Sequence, residues 1–200
     1  MLIVFEGLDQ SGKETQTKAL KARLEADGRQ VRTLSFPEYE TPIGRELRQA
    51  LDGGRDFTPD VMQLLYVANR LEFKARLESW LAAGDVVICD RYCASTIAYG
   101  ESQGLDSSWL VEIQRYLPKA DVTVLLDIAP ETAARRKSVG RDRYERDLDL
   151  LGRVRQSYRA QAVAAGWAII DAEASKEAVS QAVAAAVLPR LAPPSAHARS

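Results

Sequence analysis

Cysteine and histidine are scarce in this chain of 200 residues: Cys89 and Cys93 are its only cysteines, and His197 is its only histidine. That scarcity excludes a disulfide framework and a Cys/His zinc site. Cys89 reads instead as a small core residue on a strand. No apolar run is long enough for a membrane span, and the opening residues do not read as a secretory signal. The net charge is −1, so no bulk field favours nucleic acid or an anionic membrane, and neither is expected as a partner. Any anion must be held by local clusters. An apolar fraction of 46% and a charged fraction of 28% are ordinary for a globular protein, here one expected in the cytoplasm.

What is present begins at once. Leu2-Ile3-Val4-Phe5 reads as a buried strand, Glu6 to Thr15 as a loop, and a helical pattern follows. Gly7, Gly12 and Lys13 match the first seven positions of the phosphate-binding loop, Gly-x-x-x-x-Gly-Lys. Glycines let successive N–H groups turn into one cavity at the positive end of a helix, and the lysine can reach a β- or γ-phosphate. The eighth position, where a hydroxyl would meet Mg²⁺, is Glu14, and a hydroxyl comes one residue later at Thr15. Two readings of Glu14 stand: it ligates the metal directly or through water, or it points to solvent while substrates and waters hold Mg²⁺.

Further along, strands are expected at Val31–Ser35, Val86–Cys89, Val122–Ile128 and Trp167–Asp171. Helices are expected from Ile43 to Leu51, from Thr58 through Ala83 (with the Thr58 hydroxyl as its cap), onward from Tyr92 to about Gln103, and from Ser107 to Leu117. Three more start at Pro130, at about Leu148 (to Ala165) and at Lys176 (to Leu191). Buried strands separated by helices predict an α/β fold: a five-stranded parallel sheet flanked by helices in three layers. A single domain is expected over residues 1–191, with a highly charged segment at about 135–147 and a disordered tail at 192–200. Ligands of such sheets bind beyond the carboxyl ends of the strands, where Asp9, Phe36, Asp90-Arg91 and Pro130 fall.

Phe36-Pro37-Glu38-Tyr39, the run Leu64 to Arg70, Asp90-Arg91-Tyr92 with Ser95-Thr96, and the stretch ending Arg143-Tyr144-Glu145 join the loop in one set. Together these segments, from residue 2 to about 171, resemble the thymidylate kinases, P-loop nucleoside monophosphate kinases. The resemblance implies ATP and Mg²⁺ as cofactors, thymidine monophosphate as phosphoryl acceptor, and a homodimer. It implies that Gly7, Gln10, Ser11, Gly12, Lys13, Glu14, Thr15 and Arg136 hold ATP. Asp9 would accept from the sugar 3′-hydroxyl, and Arg70 and Arg91 would grip the acceptor phosphate. Phe36 and Tyr66 would enclose the base, Thr96 and Tyr99 would read it, and Tyr39, Leu51, Ser95 and Tyr144 would complete the pocket. Asp9, Glu14, Thr15 and Asp90 are the metal candidates, Asp90 through water.

Elementary chemistry agrees with the set. Two polyanions must be brought together, so cations should converge from separate segments, and arginine's planar fork suits phosphate. The resemblance also implies a lid at about 135–147. Where many relatives carry a basic residue this chain has Gln10, which cannot supply positive charge, so the resemblance implies Arg141 or Arg143 of that lid as the group that stabilises the transferred phosphoryl. Three rival readings remain at this stage. They are a kinase for another pyrimidine nucleotide or deoxynucleoside, a nucleotide binder without turnover, motivated by Glu14, and a switch-type GTPase, for which no Asn-Lys-x-Asp segment is found.

Overall fold

The computed structural model describes residues 1–137, 144 and 147–191. Its centre is β1 (Leu2–Glu6), buried along its whole length. The chain continues through α1 (Lys13–Ala26), β2 (Val31–Ser35), α2 (Pro42–Leu51), α3 (Pro59–Leu71), α4 (Lys74–Ala82) and β3 (Val86–Asp90). Then come α5 (Cys93–Ser102), α6 (Ser107–Glu112), β4 (Val122–Asp127), α7 (Pro130–Arg136), α8 (Leu148–Ala165), β5 (Ala168–Asp171) and α9 (Lys176–Val187). The strands form one sheet in the order β2-β3-β1-β4-β5, every adjacent pair parallel. The expected α/β architecture of a five-stranded parallel sheet between helical layers is therefore present.

The two-residue alternation of β1 sorts the core. Leu2 and Val4 join Val87, Cys89, Phe73 and Leu77 on one side of the sheet, and Ile3 and Phe5 join Leu20, Leu24 and Ile88 in the larger cluster. Cys89 is fully buried, as expected of a small core residue on a strand. Helix α8 follows its sequence pattern closely. The Asp147 carboxylate accepts from Leu150 N–H at its start, Gly166 ends it at φ 67°, and Leu151, Val154, Tyr158 and Ala162 form its buried stripe.

Three expected helices are shorter or broken. The one expected through Ala83 divides into α3 and α4 because the chain tightens at Phe73, whose N–H bonds back to Arg70 C=O at 3.0 Å. That turn drives the Phe73 ring onto Phe36, edge to face at 5.7 Å, and leaves α3 free to face the cleft. The Thr58 hydroxyl lies beside the Asp60 carboxylate and does not cap the helix N–H groups. The segment expected as helix to Leu117 ends as α6 at Glu112, passing into three-residue turns. After Val187 one 3₁₀ turn, Leu188–Arg190, closes α9, since Pro189 has no N–H to continue the ladder. The tail expected at 192–200, and most of the expected lid with Arg141 and Arg143, lie outside the described residues.

Candidate active site

The loop between β1 and α1 is shaped by backbone demands. Gly7 stands at φ 140°, and a Cβ there would lie 2.3 Å from Leu126 C=O; Gly12 stands at φ 94°. Both conformations favour glycine. They turn the loop over the start of α1, where Gly12 C=O accepts from Gln16 N–H. Lys13, 5% exposed, extends its ammonium back to Gly7 C=O at 3.2 Å and Leu8 C=O at 2.9 Å, 4.0 Å from the Asp9 carboxylate.

Beside this loop, the exit of β3 supplies the second cation. Arg91 is left-handed at φ 65°, as is Gln10 on the loop. Its N–H bonds to Phe5 C=O at 2.9 Å, and its guanidinium reaches Asp9 at 2.9 Å. Burial pushes the Asp9 pKa up, but Arg91 and then Lys13 pull harder, with Lys137 adding to them, and the carboxyl is held down at about 2. Burial also disfavours charge on Arg91, but Asp9 keeps its guanidinium protonated well above the usual range. For Lys13, burial and then Arg91 lower the ammonium pKa against the neighbouring carboxylates Asp90, Asp9 and Glu6.

Loop, β3 exit and helices α2, α3 and α5 enclose a cleft of about 960 Å³ at the carboxyl ends of the strands. That is the upper end of the roughly 300–1,000 Å³ found for small-molecule sites. Phe36, Tyr39, Leu51, Tyr66, Arg70, Ser95, Thr96, Tyr99 and Tyr144 all line it, as do Asp9, Gln10, Ser11, Gly12, Lys13, Glu14, Thr15, Asp90, Arg91 and Arg136. Gly7 stays behind the loop. The cleft has two unlike ends. Near the loop lie Lys13, Asp9 and Arg91. On the α3 side, Arg70 is 3% exposed and donates to the Thr96 hydroxyl at 2.6 Å. The Tyr99 and Tyr144 rings, edge to face at 5.7 Å, also line the cleft, with the Arg91 guanidinium 5.6 Å from the Tyr99 ring. Arg136 spans from α7 to Gln10 C=O at 3.0 Å and Ala172 C=O at 2.9 Å, joining the loop to the segment after β5. Arg135 turns away, to the Thr132 hydroxyl.

Among the metal candidates, Glu14 is directed to Lys18 one turn on, and its side chain is 75% exposed. Thr15 is exposed too. Among the described residues no group of three or more His, Cys, Asp and Glu could hold a metal ion. Asp9 and Asp90, carboxylates of the candidate set, line the cleft beside Lys13 and Arg91, and Mg²⁺ needs only one or two carboxylates with waters and substrate phosphates.

Several lining residues escaped the sequence reading. Gln63 precedes Tyr66 by one turn of α3, and Arg48 stacks over Tyr39 at 3.8 Å. Lys137 joins the cleft from the end of α7, and Gln16 and Lys176 stand near Arg136's end. Glu6 and Tyr158 lie just behind the wall, bonded to Ser95 and Arg91. Glu6 did carry a signal, a carboxylate closing a fully apolar strand. Tyr158 carried none, because its spacing in α8 is that of a core residue.

A family profile described as thymidylate kinase matches residues 5–183. The chain is 37% identical over 196 residues to a thymidylate kinase from Thermomicrobium roseum, covering 92% of this chain and 93% of that protein. It is 31% identical over 184 residues to one from Dictyostelium discoideum, covering 92% and 82%. Its structure resembles that of a thymidylate kinase from Candida albicans with a TM-score of 0.78 and 28% identity, covering 94% of this chain and 91% of that one.

Proposed function

The chain belongs to the thymidylate kinase family, and on that premise we propose that it transfers the γ-phosphoryl group of ATP to thymidine 5′-monophosphate, giving the diphosphate and ADP. One observation carries the proposal. Two buried cations from separate segments, Lys13 of the loop and Arg91 after β3, meet at one carboxylate, 4.0 Å and 2.9 Å from Asp9. Donor and acceptor phosphates can face each other only where such charges converge.

The acceptor phosphate is ionised at neutral pH, its second pKa being about 6 like that of a phosphorylated side chain. No general base is then needed, and the work is alignment and charge neutralisation. Lys13 and the loop N–H groups would hold the ATP phosphates along Gln10, Ser11 and Gly12, with Arg136 toward its base. Arg91 would grip the acceptor phosphate and Asp9 its 3′-hydroxyl. Arg70, paired with Thr96, would hold the polar edge of the pyrimidine, where its sequence context implies a phosphate role. Phe36, Tyr39, Leu51, Tyr66, Tyr99 and Tyr144 would enclose base and sugar, and Ser95 would act behind Arg91. Mg²⁺, bound with the nucleotide, would neutralise developing charge, with Asp90 its nearest protein partner through water and Glu14 left to Lys18. So directed, the Glu14 carboxylate stays off the phosphates, which supports turnover over a binder without it. The lid at about 135–147 and a single kinase domain belong to the same proposal, as do a cytoplasmic setting and a homodimer. Among the described residues, no helix is long and apolar enough to cross a membrane.

The test is product identification. Incubation with ATP, Mg²⁺ and thymidine monophosphate, resolved by anion-exchange chromatography, is expected to give the diphosphate and ADP in equal amounts. Lys13→Met is expected to fold and to lose at least about a hundredfold in turnover, ~2.7 kcal/mol of barrier. ADP without the nucleoside diphosphate would contradict the proposal.

A further inference from the structure

Glu6 closes β1 and is wholly buried, yet no substrate-facing role falls to it. Its Oε1 accepts from Tyr92 N–H at 2.9 Å and from Ser95 N–H at 3.3 Å at the start of α5, the second N–H being shared with Tyr92 C=O at 3.2 Å. No side chain of α5 itself caps that end. Its Oε2 accepts from the Ser95 hydroxyl at 2.6 Å and the Tyr158 hydroxyl at 3.2 Å, and those two hydroxyls are 2.8 Å apart. Arg91 Nη1 in turn donates to Tyr158 at 3.0 Å and to Ser95 at 3.3 Å, while Nη2 goes to Asp9.

We infer that Glu6 is a positioning residue for Arg91, holding its backbone through the Tyr92 and Ser95 peptides and its guanidinium through the Ser95 and Tyr158 hydroxyls. The inference rests on the reading of Arg91 as the acceptor-phosphate grip. A carboxylate is an acceptor only, so it draws both hydroxyl hydrogens toward itself and leaves the oxygen lone pairs for Arg91. Burial, and then the nearby Glu6, keep the Tyr158 phenol protonated and able to donate. The peptide clamp meets a need of its own. Arg91 sits at φ 65°, a conformation costly for a residue with a Cβ, and Glu6 fixes the N–H of the residue that follows. An amide in place of the carboxylate brings hydrogens of its own to at least one of these contacts, so Glu6→Gln should turn a hydroxyl and release Arg91.

Tyr158→Phe and Glu6→Gln test this, with Glu6→Asp as the conservative comparison. Tyr158→Phe keeps the buried ring and removes only the hydroxyl, so it is informative even if Glu6→Gln does not fold. Expected is a rise in KM for thymidine monophosphate of at least about fivefold, with KM for ATP within about twofold. A second readout needs no turnover: nitrogen NMR of the Arg91 guanidinium, held by Ser95, Tyr158 and Asp9, should show its Nη hydrogens exchanging with water at least about fivefold faster in both variants as Arg91 loosens. Glu6→Asp should fall between wild type and Glu6→Gln in both. If wild type lacks the kinase activity, the functional reading fails, while the NMR readout still decides whether Glu6 holds Arg91. An unchanged acceptor KM and unchanged Arg91 exchange in a folded Tyr158→Phe would overturn the inference. So would a loss shared equally by both substrates, the mark of a carboxylate that only supports the fold.

Discussion

Arg91 and Gln10 both adopt left-handed backbone, φ 65° each, on either side of Asp9. Strain of this kind persists only where the surroundings over-determine it. Here the Phe5 carbonyl, Asp9 and the Glu6 clamp do so for Arg91. The ion pair with Asp9 has a consequence for acid stability. The folded Asp9 pKa of about 2 lies below its ordinary 3.8, so its contribution is complete above the unfolded value and is lost as pH falls through the folded one. The difference in thermal midpoint between wild type and Asp9→Asn is therefore expected to shrink as pH is lowered from about 5 to about 2; a difference that stays constant would contradict the pairing. The loop, Asp9 and Arg91 were legible at this scale because their residue types sit directly after apolar strands. The pairings were not, since Asp9–Arg91 and Arg70–Thr96 join segments 82 and 26 residues apart.

The elements that carry these residues are held at their carboxyl ends. Asp127, closing β4, accepts from Arg155 at 2.7 and 2.9 Å and from Arg159 at 2.8 Å, which clips α8 and its Tyr158 to the sheet. Asp127 is 10% exposed at its side chain and Arg159 53%, so the members are unequal. Asp127→Asn is expected to cost about 1–3 kcal/mol. Arg159→Ala, at the wet end, should cost less than about 1 kcal/mol, both read from urea midpoints. Equal losses would contradict the assignment. Sequence periodicity located α8 from Leu148 to Ala165 because cap, stripe and terminal glycine agree. It did not find the break between α3 and α4, because Phe73 continues an apolar pattern along one helix. Only the presence of Phe36 on a distant strand end explains why the chain turns there.

At the scale of the whole molecule, the sheet order β2-β3-β1-β4-β5 brings the ends of β1 and β3 side by side, with Phe5 opposite Asp90. That is why a loop at residue 7 and an arginine at 91 share one cleft. The parallel sheet was legible from strand-like runs between helices, but the strand order was not, because nothing in a run's own residues names its neighbour. Leu64 and Leu71, 46% and 37% exposed, leave apolar surface on α3. In a homodimer built on that helix, Leu64→Glu is expected to give the monomer mass by light scattering while wild type gives twice that mass. A wild-type monomer would contradict that assembly.

The most direct measurement compares initial rates of ADP formation with ATP and Mg²⁺ across thymidine, deoxyuridine, deoxycytidine and uridine monophosphates. The proposed pocket, with Arg70 and Thr96 at its pyrimidine end and the tyrosine wall beside the sugar, predicts the highest kcat/KM for thymidine monophosphate. It also predicts a loss with uridine monophosphate of at least about tenfold, ~1.4 kcal/mol. Equal rates across the series, or turnover of every acceptor except thymidine monophosphate, would contradict the account.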